Sequence, residues 1–323
     1  MKYVNTLFTF IFLASILIEA MACQLKGKKW YRLNDSIASL ATFYSTRPIT
    51  LFFTPFVVLA YDWISTNYGL FKIEMSSSWH LSNLSIWFSC IVAADLSYYW
   101  MHRALHNNRF LWCFHVTHHS SDELNLSVAP RKNWLSKLTY VFFYLPLPLI
   151  GYPSLMILLS VSVVSIYQFF IHTQFSKSIP FLQLIFCTPS HHRLHHAVNP
   201  QYIDRNYAGI FIIWDRLFGS FVSEQEPPLY GILTPPNSFN LLKVCFGPFS
   251  EYFKGIRRPR IWRSPYHKYQ TTPTRRQQAI SLLFLILAII TTTWYLDHQS
   301  SLLISHQIAI ICLTLTLSTI ATL

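Results

Sequence analysis

The chain has 323 residues, of which 52% are hydrophobic, 17% aromatic and 12% charged. A soluble globular chain carries about 25% charged residues, so this composition excludes a disordered chain, a coiled coil and an ordinary water-soluble enzyme. The formal charge of +12 would turn a soluble protein toward nucleic acid. Here the basic residues stand between apolar runs, the pattern of positive loops held on one side of a membrane, and no nucleic-acid partner is expected.

The first apolar run, Tyr3 to Ala22, has about the length that crosses ~30 Å of hydrocarbon. Ala20-Met21-Ala22 has the look of a leader cleavage site. The stretch is long for a leader and only Lys2 precedes it, so it reads as an uncleaved span. Lys26, Lys28, Lys29 and Arg32 follow at once. Further spans are expected at Ile49–Ser65 and Leu81–Trp100. A stretch from Leu138 to Ile171, broken by Pro146, Pro148, Gly151 and Pro153, is long enough for a tight helical hairpin. Two more spans are expected at Ala279–Leu296 and Leu302–Leu323. The total is about five to seven crossings, the higher figure if 138–171 passes through twice.

With the N-terminus outside, the loops 23–48, 101–137 and 172–278 lie inside. They hold nearly every Lys and Arg, including Arg257, Arg258, Arg260, Arg263, Arg275 and Arg276, whereas the outer loops carry only Lys72. The expected fold is therefore all-α: a polytopic membrane bundle with a cytoplasmic helical cap, in a bacterial inner membrane or the endoplasmic reticulum. Three units follow: membrane spans in 1–80, a histidine-bearing unit in 81–245, and a basic loop with the last spans in 246–323. Six scattered cysteines with no CxxC spacing argue against a disulfide framework.

Histidine is the anomaly. There are 14, and ten fall between His102 and His196. His102 and His106 form HxxxH; His115, His118 and His119 form HxxHH; His192, His195 and His196 form a second HxxHH preceded by His191; His172 stands alone. Spacings of three and four put side chains on one helix face, about 5–6 Å apart at Cβ, within reach of one metal ion. Nine or ten imidazoles are too many for one ion and about right for two. All ten sit in the two long polar segments expected on the cytoplasmic face. Imidazole nitrogen suits iron, zinc, copper and nickel alike, so these ligands do not name the metal. His80, His267, His298 and His306 fit no box. A metal transporter would bury its histidines at mid-membrane depth, and a haem protein needs only isolated axial ligands; contiguous boxes at the span ends fit neither.

These boxes resemble the fatty acid hydroxylase/sterol desaturase superfamily of membrane di-iron enzymes. The text around them, Asp95-Leu-Ser-Tyr-Tyr-Trp-Met-His102-Arg, Leu111-Trp-Cys-Phe-His115, Asn125-Leu-Ser, Ile171-His-Thr-Gln, Thr188-Pro-Ser-His-His and the run from Asp204 to Gly219, is similar to the alkylglycerol monooxygenase branch. The resemblance implies two iron ions, O₂ as oxidant, and hydroxylation of an ether lipid at the alkyl carbon next to the ether oxygen. It also implies tetrahydrobiopterin or another electron donor. Asn107 stands where that branch carries a glutamate after the second His of HxxxH, which puts pterin use in question. The alternative within the superfamily is a sterol desaturase, or a sterol or fatty acid hydroxylase.

Ten neutral ligands around two cations call for carboxylates behind the imidazoles. Asp95 lies seven residues before His102, two helical turns along one face, and is expected to accept an imidazole N–H. Asn125, Asp204 and Asn206 complete the candidate site set, with Asp204, Asn206 and Asp215 equally readable as cap and turn residues. Arg103 and Arg193, next to the boxes, are expected to pair with these carboxylates or with a lipid headgroup.

Overall fold

A backbone inside hydrocarbon has no water to bond and must satisfy its own polar groups, which leaves helices as the form for long apolar runs. The computed structural model describes residues 4–73, 81–175, 180–232, 238–256 and 273–323. In chain order the helices are α1 (Val4–Leu25), α2 (Leu33–Tyr68), α3 (Leu81–Asn107), α4 (Arg109–Trp112), α5 (Val116–His119), α6 (Ser136–Phe143), α7 (Pro146–Ile150), α8 (Ser154–Ile171), α9 (Leu182–Ile185), α10 (Pro189–His195), α11 (Ile213–Leu217), α12 (Leu241–Phe253), α13 (Arg275–His298) and α14 (Ile304–Ile320). Among the described residues the extended pairings are two isolated bridges, Phe186 with Phe211 and Ala197 with Tyr230. The fold is all-α.

Among the described residues four stretches are long and apolar enough to cross a membrane: Asn5–Leu25, Leu33–Tyr68, Ser154–Ile171 and Arg275–Ser301. They make the chain an integral membrane protein. Their outer faces carry exposed Phe10, Leu17, Phe53, Phe56, Leu59, Ile286 and Ile290, side chains that suit lipid rather than water.

Three expected spans take a different form. The span placed at Ile49–Ser65 begins sixteen residues earlier, because Ile37 and Ala41 of α2 are buried against Leu285 of α13 and Ala321. The span placed at Leu81–Trp100 runs on as one helix to Asn107, which puts His102 and His106 on its last turns. The 138–171 stretch is no hairpin of two equal arms. Its first arm is the eight residues of α6 and the five of α7; only α8, with 18 residues, has a spanning length. Gly151 turns the chain between α7 and α8 at φ +116°, and a Cβ there would meet the Phe71 carbonyl oxygen at 2.0 Å. The backbones of Leu70 and Phe71 close this turn by donating to the Leu149 and Ile150 carbonyls.

The main core lies between α2, α3, α6, α7 and α8, where Tyr61, Ala94, Met101, Leu105, Tyr144, Leu147, Met156 and Val164 meet. A second contact is polar. Pro48 lies inside α2 and has no N–H to give to the Tyr44 carbonyl. Thr292 of α13 donates its hydroxyl to that freed oxygen at 3.1 Å, so a helix defect becomes an interhelical bond.

Replacing Thr292 by Val is therefore expected to lower the stability of the detergent-purified protein by about 1 kcal/mol, the usual scale for such a bond in a membrane. In a Pro48→Ala background, where residue 48 regains its N–H, the same change should cost less. Equal costs in both backgrounds, read by thermal unfolding, would remove the explanation.

Candidate metal centre

The boxes converge because each ends a helix. His102 and His106 close α3, His115 is the N-cap of α5 with His118 and His119 inside it, His172 is the C-cap of α8, and His196 is the C-cap of α10. Among the described residues nine of these imidazoles form two groups, in each of which the ligand nitrogens all lie within 4.8 Å of one another. His102, His106, His115, His119 and His195 make the first group; His118, His172, His192 and His196 make the second. Each HxxHH is split. Its first and last histidines, one helical turn apart, share a group, and the middle one goes to the other. His192 and His196 follow this rule on α10, as do His115 and His119 around α5.

Backbone carbonyls decide which ring nitrogen faces inward. The Nδ1–H groups of His102, His118, His172 and His195 donate to the carbonyls of Tyr207, Arg131, Gln168 and Arg205 at 2.8, 3.1, 2.5 and 2.9 Å. A carbonyl only accepts, so in a neutral ring the Nε2 of each carries a bare lone pair. For His118 and His172 both rings are set this way, and their two Nε2 atoms face each other at 3.1 Å with no proton between them. His192 Nε2 stands 2.9 Å from His172 Nε2, and His196 Nε2 lies 3.1 Å from His192 Nε2. In the first group His106 Nε2 is buried without a partner. Protonation does not relieve this crowding. Burial, reinforced by neighbouring imidazoles, holds His115, His118, His119, His192, His195 and His196 well below the ordinary histidine pKa; burial, with the Lys132 charge, pushes His172 down to about 3. Converging neutral nitrogen donors of this kind fit a pair of transition-metal cations.

The loop after α10 supplies two of the carbonyls, and two buried carboxylates hold it. Asp215 accepts from the backbone N–H of Tyr207 and Ala208, each at 2.8 Å, and from the Ser220 hydroxyl at 2.7 Å. Asp95, fully buried, accepts from the N–H of Ile210 and Phe211 and from the Trp214 indole at 2.6, 3.0 and 2.9 Å. Asp95 thus bonds no imidazole, contrary to expectation; it reaches His102 through the loop that carries the Tyr207 carbonyl. Burial raises the Asp215 pKa, opposed by these hydrogen bonds.

The carboxylate that does touch a ring is Asp204, half-exposed, whose Oδ1 is 3.3 Å from His106 Nδ1. Asp204 and Asn206 both adopt left-handed backbone, at φ 57° and 54°, a conformation that Asp and Asn tolerate better than other side chains. Asn206 spans the loop, donating to the His191 and Val222 carbonyls and accepting from Val222 N–H. Asn125 lies away from the imidazoles, donating to the Trp30 carbonyl and closing a turn with Ser127. His191 lies outside both groups. Its Nδ1 accepts from the Thr188 N–H at 3.3 Å in a capping box that starts α10. His298 and His306 sit on α13 and α14, outside both groups, while His80 and His267 fall outside the described residues. Arg103 donates to the Tyr99 hydroxyl and the Phe218 carbonyl, and Arg193 lies 3.5 Å from Glu224.

Residues with no sequence signal complete the frame. Arg131, fully buried, pairs with Asp35 at 3.0 Å and also bonds the Thr117 carbonyl and the Ser120 hydroxyl. Its own carbonyl is the one that orients His118. Glu19 of α1 is buried as well, accepting from Tyr31, from the Leu126 N–H and from Thr173, the neighbour of His172. A period of apolar residues does not reveal such long-range pairs. Beside the first group opens a cavity of about 240 Å³, lined by His106, His119, His195 and His196 together with Trp112, Val116, Ile203, Val244 and Tyr252. Arg109, Asp204, Lys243 and Glu251 also line it.

Residues 87–220, which include all nine grouped histidines, match the family model of the fatty acid hydroxylase domain. The human alkylglycerol monooxygenase is 40% identical over 236 residues, covering 73% of this chain and 52% of the human protein. An ornithine lipid hydroxylase of Rhizobium tropici is 31% identical over 138 residues, 42% of each chain, and the human lathosterol oxidase is 29% identical over 160 residues, 48% of this chain and 47% of its own. The chain spans about half the length of the alkylglycerol monooxygenases it matches. No solved structure matches it significantly.

Gly209 tests the loop architecture. A Cβ there would meet Asp95 Oδ1 at 2.2 Å, whereas one on Gly247 of α12 meets nothing within 4 Å. Gly209→Ala is expected to cost about 1–3 kcal/mol, as overpacking does, and to lower the bound metal. Gly247→Ala, where the gain in helix propensity is opposed by the following Pro248, is expected to change stability by less than about 1 kcal/mol. Thermal unfolding and metal analysis of both variants make the check, and indifference at Gly209 would remove the clamp from the account.

Proposed function

We propose that this chain is a membrane di-iron monooxygenase that hydroxylates an ether lipid at the carbon next to the ether oxygen. The observation that carries the reading is the pair of bare Nε2 atoms of His118 and His172, facing each other at 3.1 Å within a four-imidazole group beside a five-imidazole one. Its support from outside is the 40% identity to an alkylglycerol monooxygenase. His102, His106, His115, His119 and His195 would hold one ion; His118, His172, His192 and His196 would hold the other; His191 serves the cap of α10. Iron, when bound, supplies the activation of O₂ for insertion of one oxygen into a C–H bond.

The chain's own residues do the rest. Carbonyls of Tyr207, Arg131, Gln168 and Arg205 lock four rings in one tautomer, which removes the cost of turning them when a ligand arrives. Asp204 offers a carboxylate behind His106. Substrate enters from the bilayer, its headgroup near the inner ends of the spans and its chain among them. Hydroxylation converts R–CH₂–O–R′ into a hemiacetal, with the second oxygen atom of O₂ leaving as water at the expense of two electrons and two protons. The hemiacetal then separates into an aldehyde and an alcohol. The electrons come from a donor, tetrahydrobiopterin or another; Asn107, exposed at the end of α3, stands where the resembled branch has its glutamate. The histidine face is read as cytoplasmic, with Lys26–Arg32 and Arg275–Arg276 inside and Lys72 outside; Arg257–Arg263 lie outside the described residues. A sterol or fatty acid hydroxylase of the same superfamily is the second reading, favoured by the likeness to lathosterol oxidase.

Membranes containing the protein, given an alkylglycerol, O₂ and a reductant, should release a fatty aldehyde. Metal analysis should find about two irons per chain, as two groups of this size imply. His118→Ala or His195→Ala should abolish turnover while the protein still accumulates. Sterol or acyl-chain products in place of aldehyde would transfer the protein to the second reading, and full activity in the histidine variants would sink both. Cysteine labelling of position 275 from the outer side would overturn the orientation.

A further inference from the structure

Beside the second imidazole group, α2 and the segment that leads from Arg131 into α6 carry three cations. Arg47 lies within the candidate span Leu33–Tyr68, its guanidinium 5.1 Å from the ring centre of Phe8 and 5.4 Å from that of Phe43. Lys137 opens the short apolar stretch Ser136–Ile150 and sits with Nζ 4.4 Å from the centre of the Tyr140 ring. Lys132 donates to the Tyr140 hydroxyl at 3.2 Å. The Trp134 indole bonds the Ser45 hydroxyl at 2.8 Å, which seats this segment against α2 two residues from Arg47. The charges of Lys132 and Arg47 both act on Lys137, and that of Lys132 also acts on His118 and His172. Among the described residues no carboxylate forms an ion pair with any of the three. The hydroxyls of Tyr44 and Tyr144 are buried there without partners, the Tyr144 ring stacked on Tyr140 at 5.7 Å.

A cation withdrawn from water costs several kcal/mol unless an anion or a set of acceptors replaces the lost hydration. Ionisable groups inside membrane segments pair with one another or mark a substrate path. Like charges do not pair with one another, so this cluster lacks a negative ion. We propose that Arg47, Lys132 and Lys137, with the Tyr140 hydroxyl, form the site for the phosphate of an anionic lipid substrate. The proposal rests on the ether-lipid reading above, because a carbon next to the ether oxygen is only a few bonds from the headgroup. Oxidation there requires the headgroup site to adjoin the imidazoles, as Lys132 does.

The test compares binding of an alkylglycerol phosphate and of the neutral alkylglycerol with the same chain to the full-length protein in phosphatidylcholine nanodiscs, read by tryptophan fluorescence. A charged hydrogen bond is worth about 1.5–3 kcal/mol, so the phosphate lipid should bind about tenfold tighter or more. In a Lys132→Met, Lys137→Met double variant that ratio should fall about tenfold, while Lys137→Arg, which keeps the charge, should retain it. Equal affinities for the two lipids, or a ratio unchanged in the double variant, would overturn the site. Inorganic phosphate binding as tightly as the lipid would also overturn it, since the chain would then contribute nothing. A binding preference with no aldehyde from either lipid would leave the headgroup site standing and sink the ether-oxidation reading instead.

Discussion

Two histidine nitrogens that both lack a proton repel one another, and this protein holds such a pair 3.1 Å apart in its interior. Water cannot separate them at that distance, and burial resists protonation of either ring. A metal cation between the rings would relieve this repulsion, and much of the surrounding structure serves to hold the rings in place. The orienting acceptors are mostly backbone carbonyls, which are neutral and cannot be displaced by rotation of a side chain. They fix the tautomer without bringing negative charge into contact with the ligands.

Those carbonyls must themselves be immobile, which explains where the buried carboxylates stand. Asp95 and Asp215 face the N–H groups of the loop 207–211 and not the rings. Their hydrogen bonds convert a surface connection into a rigid bracket behind His102. Arg131 does the same for His118 with an ion pair to Asp35, and Glu19 draws Leu126 and Thr173 toward α1. A buried ion pair is weak evidence of stability but costs about 3–5 kcal/mol to break from one side. These pairs therefore act as registration points between the spans and the histidine layer.

The membrane setting shapes the same network. Polar atoms inside the spans pair across helices, as when Thr292 takes the carbonyl that Pro48 leaves free. Against that economy, Lys132 and Lys137 at Tyr140 and Arg47 on α2 stand out, since among the described residues no carboxylate forms an ion pair with them. The layout sets basic side chains between an apolar bundle and a nitrogen-rich centre, the combination a lipid with a headgroup near its reacting carbon would need.

Much of this was legible in the amino-acid sequence, for identifiable reasons. Apolar runs long enough to span hydrocarbon have one stable form, so the all-α bundle followed from composition and length. Histidines three and four apart share a helix face, so metal-binding boxes followed from local spacing. The start of α2 was not legible, because packing against α13 extends that helix; Pro146, Pro148, Gly151 and Pro153 marked the break in 138–171 but not how unequal its arms are. Neither was the partition of each HxxHH between two groups, nor the roles of His191 in a cap and Asp95 in a loop clamp. Spacing along one helix says which residues share a face; which imidazole group each joins depends on rings from distant segments. The Arg131–Asp35 pair joins residues 96 positions apart, and the Asp95 contact to Phe211 spans 116. Contacts at such separations leave no periodic trace, and only the folded chain decides them.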